Sequence, residues 1–354
     1  MKEFNVLCNP IWKRSLHPFY RWDKQLNQHG IRVKLFLNHK DKRIRGSENL
    51  FIYSKYFEDG WQNVSKRTEK NESELISYLT DLKKDTGNLI WFDEAASSGS
   101  SDFPIISYVD VFAKKQLLTD MASYTSENAN YDLRVWVKNG QSKTSSFSPC
   151  PSNQLHKMKI AWNTSVYDYR NIRSKLMLVS NYLSYKLYSP QYRNAYETRN
   201  LDVTFRGTQS YKADKAVSEQ RLALMETLEG INLNINKGDR ISKSKYFKEL
   251  QNTKVSISPF GFGEICYRDF ETFISGSILL KPSIDHLLTL PNLFLPNETY
   301  VSFAWDLSDL NEKVETIISN YNYYKEIAKN GQILFRNTLD DSQYFIDAIN
   351  RMIA

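Results

Sequence analysis

Ser256-Ile257-Ser258-Pro259-Phe260-Gly261-Phe262-Gly263-Glu264-Ile265-Cys266-Tyr267-Arg268-Asp269-Phe270-Glu271-Thr272-Phe273-Ile274-Ser275-Gly276-Ser277-Ile278-Leu279-Leu280-Lys281 is the stretch whose reading decides the fold. It leaves an apolar strand, Thr253–Ser258, through a turn that holds Gly261 and Gly263. The spacing predicts a helix next, with Glu264, Arg268 and Glu271 at i, i+4 and i+7. A second apolar strand, Ser277–Lys281, follows almost at once. At about 100° per residue the three charges share one narrow face with Ser275, and Cys266, Phe270 and Phe273 lie opposite. A glycine turn that opens a helix beyond a strand end brings backbone N–H groups and a positive dipole toward an anion. Two carboxylates and an arginine on one face suit a phosphate-bearing sugar donor, whose hydroxyls need acceptors and whose phosphates need cations. The plainer alternative is a solvated Glu264–Arg268 pair worth about 0.3 kcal/mol, with glycines that serve the turn alone.

Working outward, the first half alternates short apolar strands with helical patterns. Strands are expected at Phe4–Leu7, Ile31–Leu37, Leu50–Tyr53, Leu89–Phe92, Leu133–Val137 and Ile160–Trp162. Helices are expected at Glu72–Lys83, Val109–Thr119 and Arg170–Tyr188, and Ser189-Pro190 ends the last. A second alternation runs through strand Leu201–Phe205, helices Asp214–Leu228 and Lys245–Leu250, and strand Thr299–Phe303. Helices Leu307–Asn320, Tyr323–Asn337 and Ser342–Met352 close the chain. Such alternation argues for parallel α/β layers. The expected fold class is α/β, with two facing Rossmann-like domains and a ligand cleft between them. The expected units are residues 1–195, residues 196–335, and a C-terminal helix within 336–354 that returns to the first domain. Ligands of such sheets sit beyond the C-terminal strand ends, where the turns Arg206-Gly207-Thr208 and Pro259–Gly263 fall.

The totals narrow the class. The chain has 354 residues, 41% hydrophobic and 25% charged, which is the balance of a soluble globular protein. Its formal charge of +7 favours anionic partners. Basic runs such as His39–Arg45 are short and broken by Asp41, which speaks against a nucleic-acid stripe. No nucleic-acid partner is expected, and a peripheral contact with the inner face of a membrane is compatible with the charge. Three cysteines, far apart and in no metal-binding spacing, fit a reduced, cytoplasmic setting. No apolar run approaches the about 18 residues that a membrane span needs. His-x-x-x-His, Cys-x-x-Cys and a strand-terminal Asp-x-Asp are missing, so no metal site and no cofactor are expected.

The segment Ser258–Glu264, continuing to Arg268, Glu271 and Gly276, resembles the donor-site signature of two-domain GT-B glycosyltransferases. It is similar to exostosin-type enzymes and to the bacterial group-1-like transferases of O-antigen and capsule pathways. One departure is visible: where the commonest form has two glutamates separated by seven residues, Gly263 stands at the first position and Glu264 at the next. Trp91-Phe92-Asp93-Glu94, Ser97–Ser101, Tyr108-Val109-Asp110 and Lys114–Leu118 add a looser likeness.

The resemblance implies a metal-independent transferase that moves a sugar from a nucleotide-sugar donor to a hydroxyl of a surface glycan or lipid-linked glycan. Glu271 is similar to the glutamate that holds the donor ribose. Arg206, beside Gly207, is read as a phosphate cation, with Gly261, Gly263, Arg268 and Lys281 as further donor contacts. Glu264 is expected at a donor hydroxyl or at the developing oxocarbenium charge. Asp93, Glu94, His17 and Asp110 are candidates for the base that takes the acceptor proton, with Asp93 first by its place at a strand end. The alternative is a non-catalytic nucleotide- or sugar-binding protein on the same scaffold.

Overall fold

The structure is a computed structural model. It describes residues 1–9, 13–57, 68–98, 103–126, 134, 136, 148–170, 179, 181, 183, 185, 188–209 and 215–353. The first half carries strands β1 (Lys2–Leu7), β2 (Ile31–Phe36), β3 (Asn49–Tyr53), β4 (Asn88–Asp93), β5 (Val111–Lys114), β6 (Gln116–Leu118) and β7 (Met158–Ile160). All but β6 form one sheet in the order β2-β1-β3-β4-β5-β7, parallel throughout. Sheets of this kind are covered on both faces, so their strands read as continuous apolar runs rather than alternations; every residue of β3 is buried.

Helices α1 (Lys13–Arg21), α2 (Asp23–Gln28) and α3 (Glu69–Asp85) belong to this half. The start of α3 is legible in its chemistry. Thr68 accepts a hydrogen bond from the Asn71 N–H through its side chain, and Glu69 and Glu72 sit in the first turn, where a helix dipole favours acids. Leu75, Leu79 and Leu82 then bury one stripe.

The second half holds β8 (Leu201–Arg206), β9 (Ile235–Gly238), β10 (Thr253–Ile257), β11 (Ile278–Pro282), β12 (Leu287–Thr289) and β13 (Val301–Phe303). Its sheet runs β13-β11-β10-β8-β9, again parallel. Around it lie α4 (Lys215–Thr227), α5 (Lys243–Gln251), α6 (Tyr267–Ser275), α7 (Leu310–Ser319), α8 (Tyr321–Asp340) and α9 (Gln343–Ile353). Strand β12 leaves its own half and pairs antiparallel with β6 of the other. Helix α9 packs on the first sheet: Phe345 is fully buried against Phe19, Trp22 and Trp162, with ring centroids 5.1, 5.3 and 4.6 Å away. Asn88 donates to the Met352 carbonyl at 2.8 Å.

The α/β architecture of two parallel sheets agrees with the sequence reading, and several local readings do not survive. Val109–Thr119 is not a helix but strands β5 and β6, both fully buried; a short apolar run bears either reading until its partners are known. The strand expected at Ile160–Trp162 lies earlier, at Met158–Ile160. The polar edge strand β9 carries no apolar signal. Helix α6 begins at Tyr267, not at Glu264, because Asp269 turns back to accept the Cys266 N–H at 3.0 Å and caps the helix there. The expected strand Leu133–Val137, most of helix Arg170–Tyr188, Asp214 and Gly99–Ser101 lie outside the described residues.

Candidate active site in the cleft

Each sheet has one point where its chain reverses the direction of winding. In the second sheet β8 is flanked by β9 and β10, so the switch point lies between β8 and β10. In the first it lies between β1 and β3. Crevices beyond the C-terminal ends at such points are where ligands bind.

The turns after β8 and β10 hold Gly207 and Gly261. A Cβ on Gly207 would stand 3.3 Å from Arg221 Nη1 and 3.4 Å from Arg268 Nη2. One on Gly261 would stand 3.8 Å from Arg221 Nη2. Two guanidinium groups therefore pack against two glycine turns, and a side chain at Gly207 would crowd both of them. Arg221, on α4, donates to the Thr208 carbonyl at 2.7 Å. Arg268 donates to the Arg206 carbonyl and lies over the Phe205 ring, 5.1 Å from its centroid.

One turn along α6 from Arg268 is Glu271. Burial raises its pKa, while Arg268, Tyr246, Arg14 and Lys243 pull the other way. Burial likewise lowers the pKa of Lys243, and Arg14 adds to that, against Glu271 and Asp168. Three cations from three helices, Arg268, Arg14 and Lys243, thus act on one carboxylate, and Arg14 comes from the opposite half.

On the first sheet, adjacent residues at the end of β4 have opposite fates. Asp93 is held by the buried Lys114 ammonium at 2.7 Å and accepts the Ala95 N–H at 2.9 Å. Glu94 is only 2% exposed, yet neither carboxylate oxygen has a hydrogen bond among the described residues. Its nearest cation, Lys55, has Nζ 3.9 Å away. Burial raises the Glu94 pKa, opposed by Lys55 and Lys115. Burial also pushes the neighbouring Lys115 ammonium down to about 7, with Lys55 adding to the fall. The Cys8 thiol, just past β1, is pushed up to about 12 by burial and by Glu94. Glu94 follows β4, one strand beyond the β1–β3 switch point of its sheet.

Tyr267, the first residue of α6, connects the two sides. Burial raises its pKa, Arg14 opposes this, and both Glu94 and Glu271 add to it. The guanidinium of Arg14 lies 5.4 Å from its ring centroid. One phenol thus stands within electrostatic reach of a carboxylate from each half.

The remaining residues singled out from the sequence have internal duties. Arg206 forms a bidentate pair with Glu249, at 2.9 and 2.8 Å, and donates to the Lys237 carbonyl at 3.1 Å. Lys281 is fully buried, with its ammonium on Asp269 at 3.1 Å and on the Glu264 carbonyl at 2.6 Å. Glu264 is 1% exposed and accepts from Ser97 Oγ at 2.6 Å, the Ser98 N–H at 3.1 Å and Gln116 Nε2 at 3.3 Å. It joins the two halves. Gly263 is there for the same contact, since a Cβ would meet the Ala96 carbonyl oxygen at 1.8 Å.

His17 is 1% exposed on α1, with Nδ1 3.2 Å from Asn181 Oδ1. Burial carries its pKa down to about 4 despite Asp168, so it is neutral at pH 7. It lines a separate cavity of about 560 Å³ with Arg21, Tyr185 and Arg336. Asp110 pairs with Lys83 and accepts the Leu89 N–H at 2.8 Å. Arg221 was missed because a lone arginine in a mixed helix carries no signal; its meaning comes from Gly207 and Gly261 beside it.

No family model and no curated protein matches the chain. Solved structures do. An alpha-glucosyltransferase (AGT) in complex with UDP aligns over 100% of both chains, with 11% identity and a TM-score of 0.50. T4 phage BGT in complex with UDP and Mn2+ aligns over 100% of this chain and 99% of that one, with 11% identity and a TM-score of 0.49. An alpha-glucosyltransferase in complex with UDP-glucose and DNA containing an abasic site aligns over 100% of both, with 10% identity and a TM-score of 0.49. The chain has the GT-B fold, with two Rossmann-like halves.

One expectation is corrected by the same comparison. The sequence reading excludes nucleic acid and assigns a glycan acceptor, whereas structures similar to this one hold DNA. Neither the exclusion nor the glycan acceptor is retained. Among the described residues no helix is long and apolar enough to cross a membrane, and no group of three or more His, Cys, Asp or Glu could hold a metal ion.

Proposed function

We propose that this protein is a glycosyltransferase that moves a sugar from a nucleotide-sugar donor to an acceptor hydroxyl. One observation carries the reading: the Arg14 guanidinium of the first half lies 5.4 Å from the ring centroid of Tyr267, so the two halves meet at the start of the helix that carries Arg268 and Glu271. Glu94 follows β4 directly, and α6 follows the turn after β10.

Glu271 accepts hydrogen bonds from the donor ribose, a role for which a carboxylate among cations is suited. Arg221 and Arg268 take the diphosphate beside Gly207 and Gly261, where guanidinium forks match phosphate oxygens. Glu94 replaces Asp93 as the base. As the acceptor oxygen bonds to the anomeric carbon, the bond from that carbon to the phosphate oxygen breaks. The nucleoside diphosphate leaves with the electron pair, and the acceptor proton passes to Glu94. The two guanidinium groups offset the charge on the leaving group, so metal independence remains part of the reading. UDP in the similar structures makes it the first nucleotide to try.

The test is thermal stabilisation by UDP, GDP, ADP and CMP, because a ligand of the folded state raises the melting temperature by mass action. One nucleotide should stabilise the parent and Arg206→Ala alike and lose its effect in Arg221→Ala. No shift with any of the four sinks the reading. Binding without turnover, unchanged in Glu94→Gln, leaves a non-catalytic binding protein.

A further inference from the structure

Helix α1 carries Arg14, His17 and Arg21 at i, i+3 and i+7, along one face. Arg14 meets Tyr267, while His17 and Arg21 line the cavity of about 560 Å³. Its wall comes from both halves: α1 and α2 from the first, Arg336 and Asp340 of α8 from the second. No residue placed in the transfer step lines it. Two side chains of this wall are more than nine-tenths buried and keep one hydrogen-bonding atom without a partner. His17 is 1% exposed and its Nε2 is unmatched; the Arg21 side chain is 7% exposed and its Nη1 is unmatched. The rest of each group is occupied. His17 Nδ1 lies 3.2 Å from Asn181 Oδ1. Arg170, 3.5 Å from the same nitrogen, is committed to Asp168 through bonds at 2.9 and 3.0 Å. Nδ1 therefore carries the proton and donates to Asn181, which leaves Nε2 as an acceptor. The Arg21 guanidinium lies 3.5 Å from the Tyr185 ring centroid, and its Nη2 is 3.6 Å from the mostly exposed Asp340. Nη1 remains a free donor. One water takes up about 30 Å³, so a single water does not fill this space.

We propose that this cavity is a second ligand site, for a small oxyacid that also carries a hydroxyl. The acid group accepts from Arg21 Nη1, and the hydroxyl donates to His17 Nε2. Residues four apart on a helix have Cβ atoms about 5–6 Å apart, so the two groups of the ligand lie only a few bonds from each other. Arg336, exposed on α8 with its guanidinium 5.8 Å from the Tyr192 ring centroid, adds a cation at the rim. Tyr20, Trp22, Tyr185 and Tyr192 offer flat faces to the carbon chain. The volume is that of an ordinary small-molecule pocket. The site stands apart from the glycosyltransferase reading and does not depend on it.

Gluconate, glycerol 3-phosphate, hexanoate and sorbitol serve as probes, read by thermal stabilisation of the full chain with and without UDP. Gluconate or glycerol 3-phosphate should raise the melting temperature, and the one that acts at lower concentration tells a carboxylate from a phosphate. Hexanoate has the acid without the hydroxyls, sorbitol the hydroxyls without the acid, and neither should act. Arg21→Met should weaken the effect by about tenfold or more, the worth of a charge-assisted hydrogen bond. Arg221→Ala, on the donor side, should leave it intact. Arg336 is exposed, so Arg336→Met, which should also weaken the effect, stays informative even where Arg21→Met fails to fold. No stabilisation by either acid overturns the proposal, as does equal stabilisation by hexanoate or sorbitol. An effect unchanged in the arginine variants that fold overturns it as well. An effect that saturating UDP abolishes puts the acid in the cleft and overturns the second site.

Discussion

Glu94, just past β4, and Asp269, in the first turn of α6, are both buried carboxylates, one in each half, and their surroundings could hardly differ more. Asp269 accepts from Ser258 Oγ at 2.5 Å, the Cys266 N–H at 3.0 Å and the Lys281 ammonium at 3.1 Å. Its demand is met within the chain, and it holds the start of α6 in place. Glu94 has two oxygens with no hydrogen bond among the described residues. A satisfied buried carboxylate builds structure. An unsatisfied one is costly in isolation, which is what makes Glu94 the functional candidate of the pair.

The contrast can be broken most sharply at Glu94. Glu94→Gln should lower kcat by about 10²–10⁴, the usual worth of a general base, in a donor–acceptor assay. The same change should raise the melting temperature or leave it alone. The pH sign follows from the raised pKa. The unfolded chain releases this proton in the ordinary carboxylate range and the folded chain holds it longer, so stability falls as pH rises through that window. Glu94→Gln should flatten that part of a stability–pH profile. A strongly destabilised Glu94→Gln would make Glu94 another Asp269.

Lys281→Met should show the opposite pattern. It leaves Asp269 buried without its cation, which costs about 3–5 kcal/mol, read by urea denaturation. Nucleotide affinity should change only as far as folding does. Gly263→Ala comes next. The new methyl would press on the Ala96 carbonyl, and overpacking of this kind costs about 1–3 kcal/mol. Scattering should show a more open particle. The smallest effect separates two arginines: Arg206→Ala should cost about 1–2 kcal/mol of stability through the stranded Glu249 and spare nucleotide binding, which isothermal titration would check.

Strand, glycine turn, helix and strand could be read from Thr253–Lys281 because local periodicity and glycine chemistry set them. The alternation of layers followed in the same way, and with it the GT-B fold. Much of the site was illegible, since it depends on which side chains meet across the halves. Glu264 and Glu271 look equivalent on a helical wheel, yet the capping of α6 by Asp269 puts Glu264 in a turn facing Ser97 and Ser98. Asp93 and Glu94 are adjacent in sequence, and only the pairing with Lys114 tells them apart. Arg206 carries the louder motif and Arg221 none, but Glu249 claims the first.

The antiparallel pair β6–β12 and the contact of Gly263 with Ala96 lie together along the boundary between the halves. They tie one half to the other. Rotation of one half against the other would move the residues near that line little and those far from it more. Helix α9 on the first sheet is a second tie, so any rotation of one half against the other has to be taken up at both places.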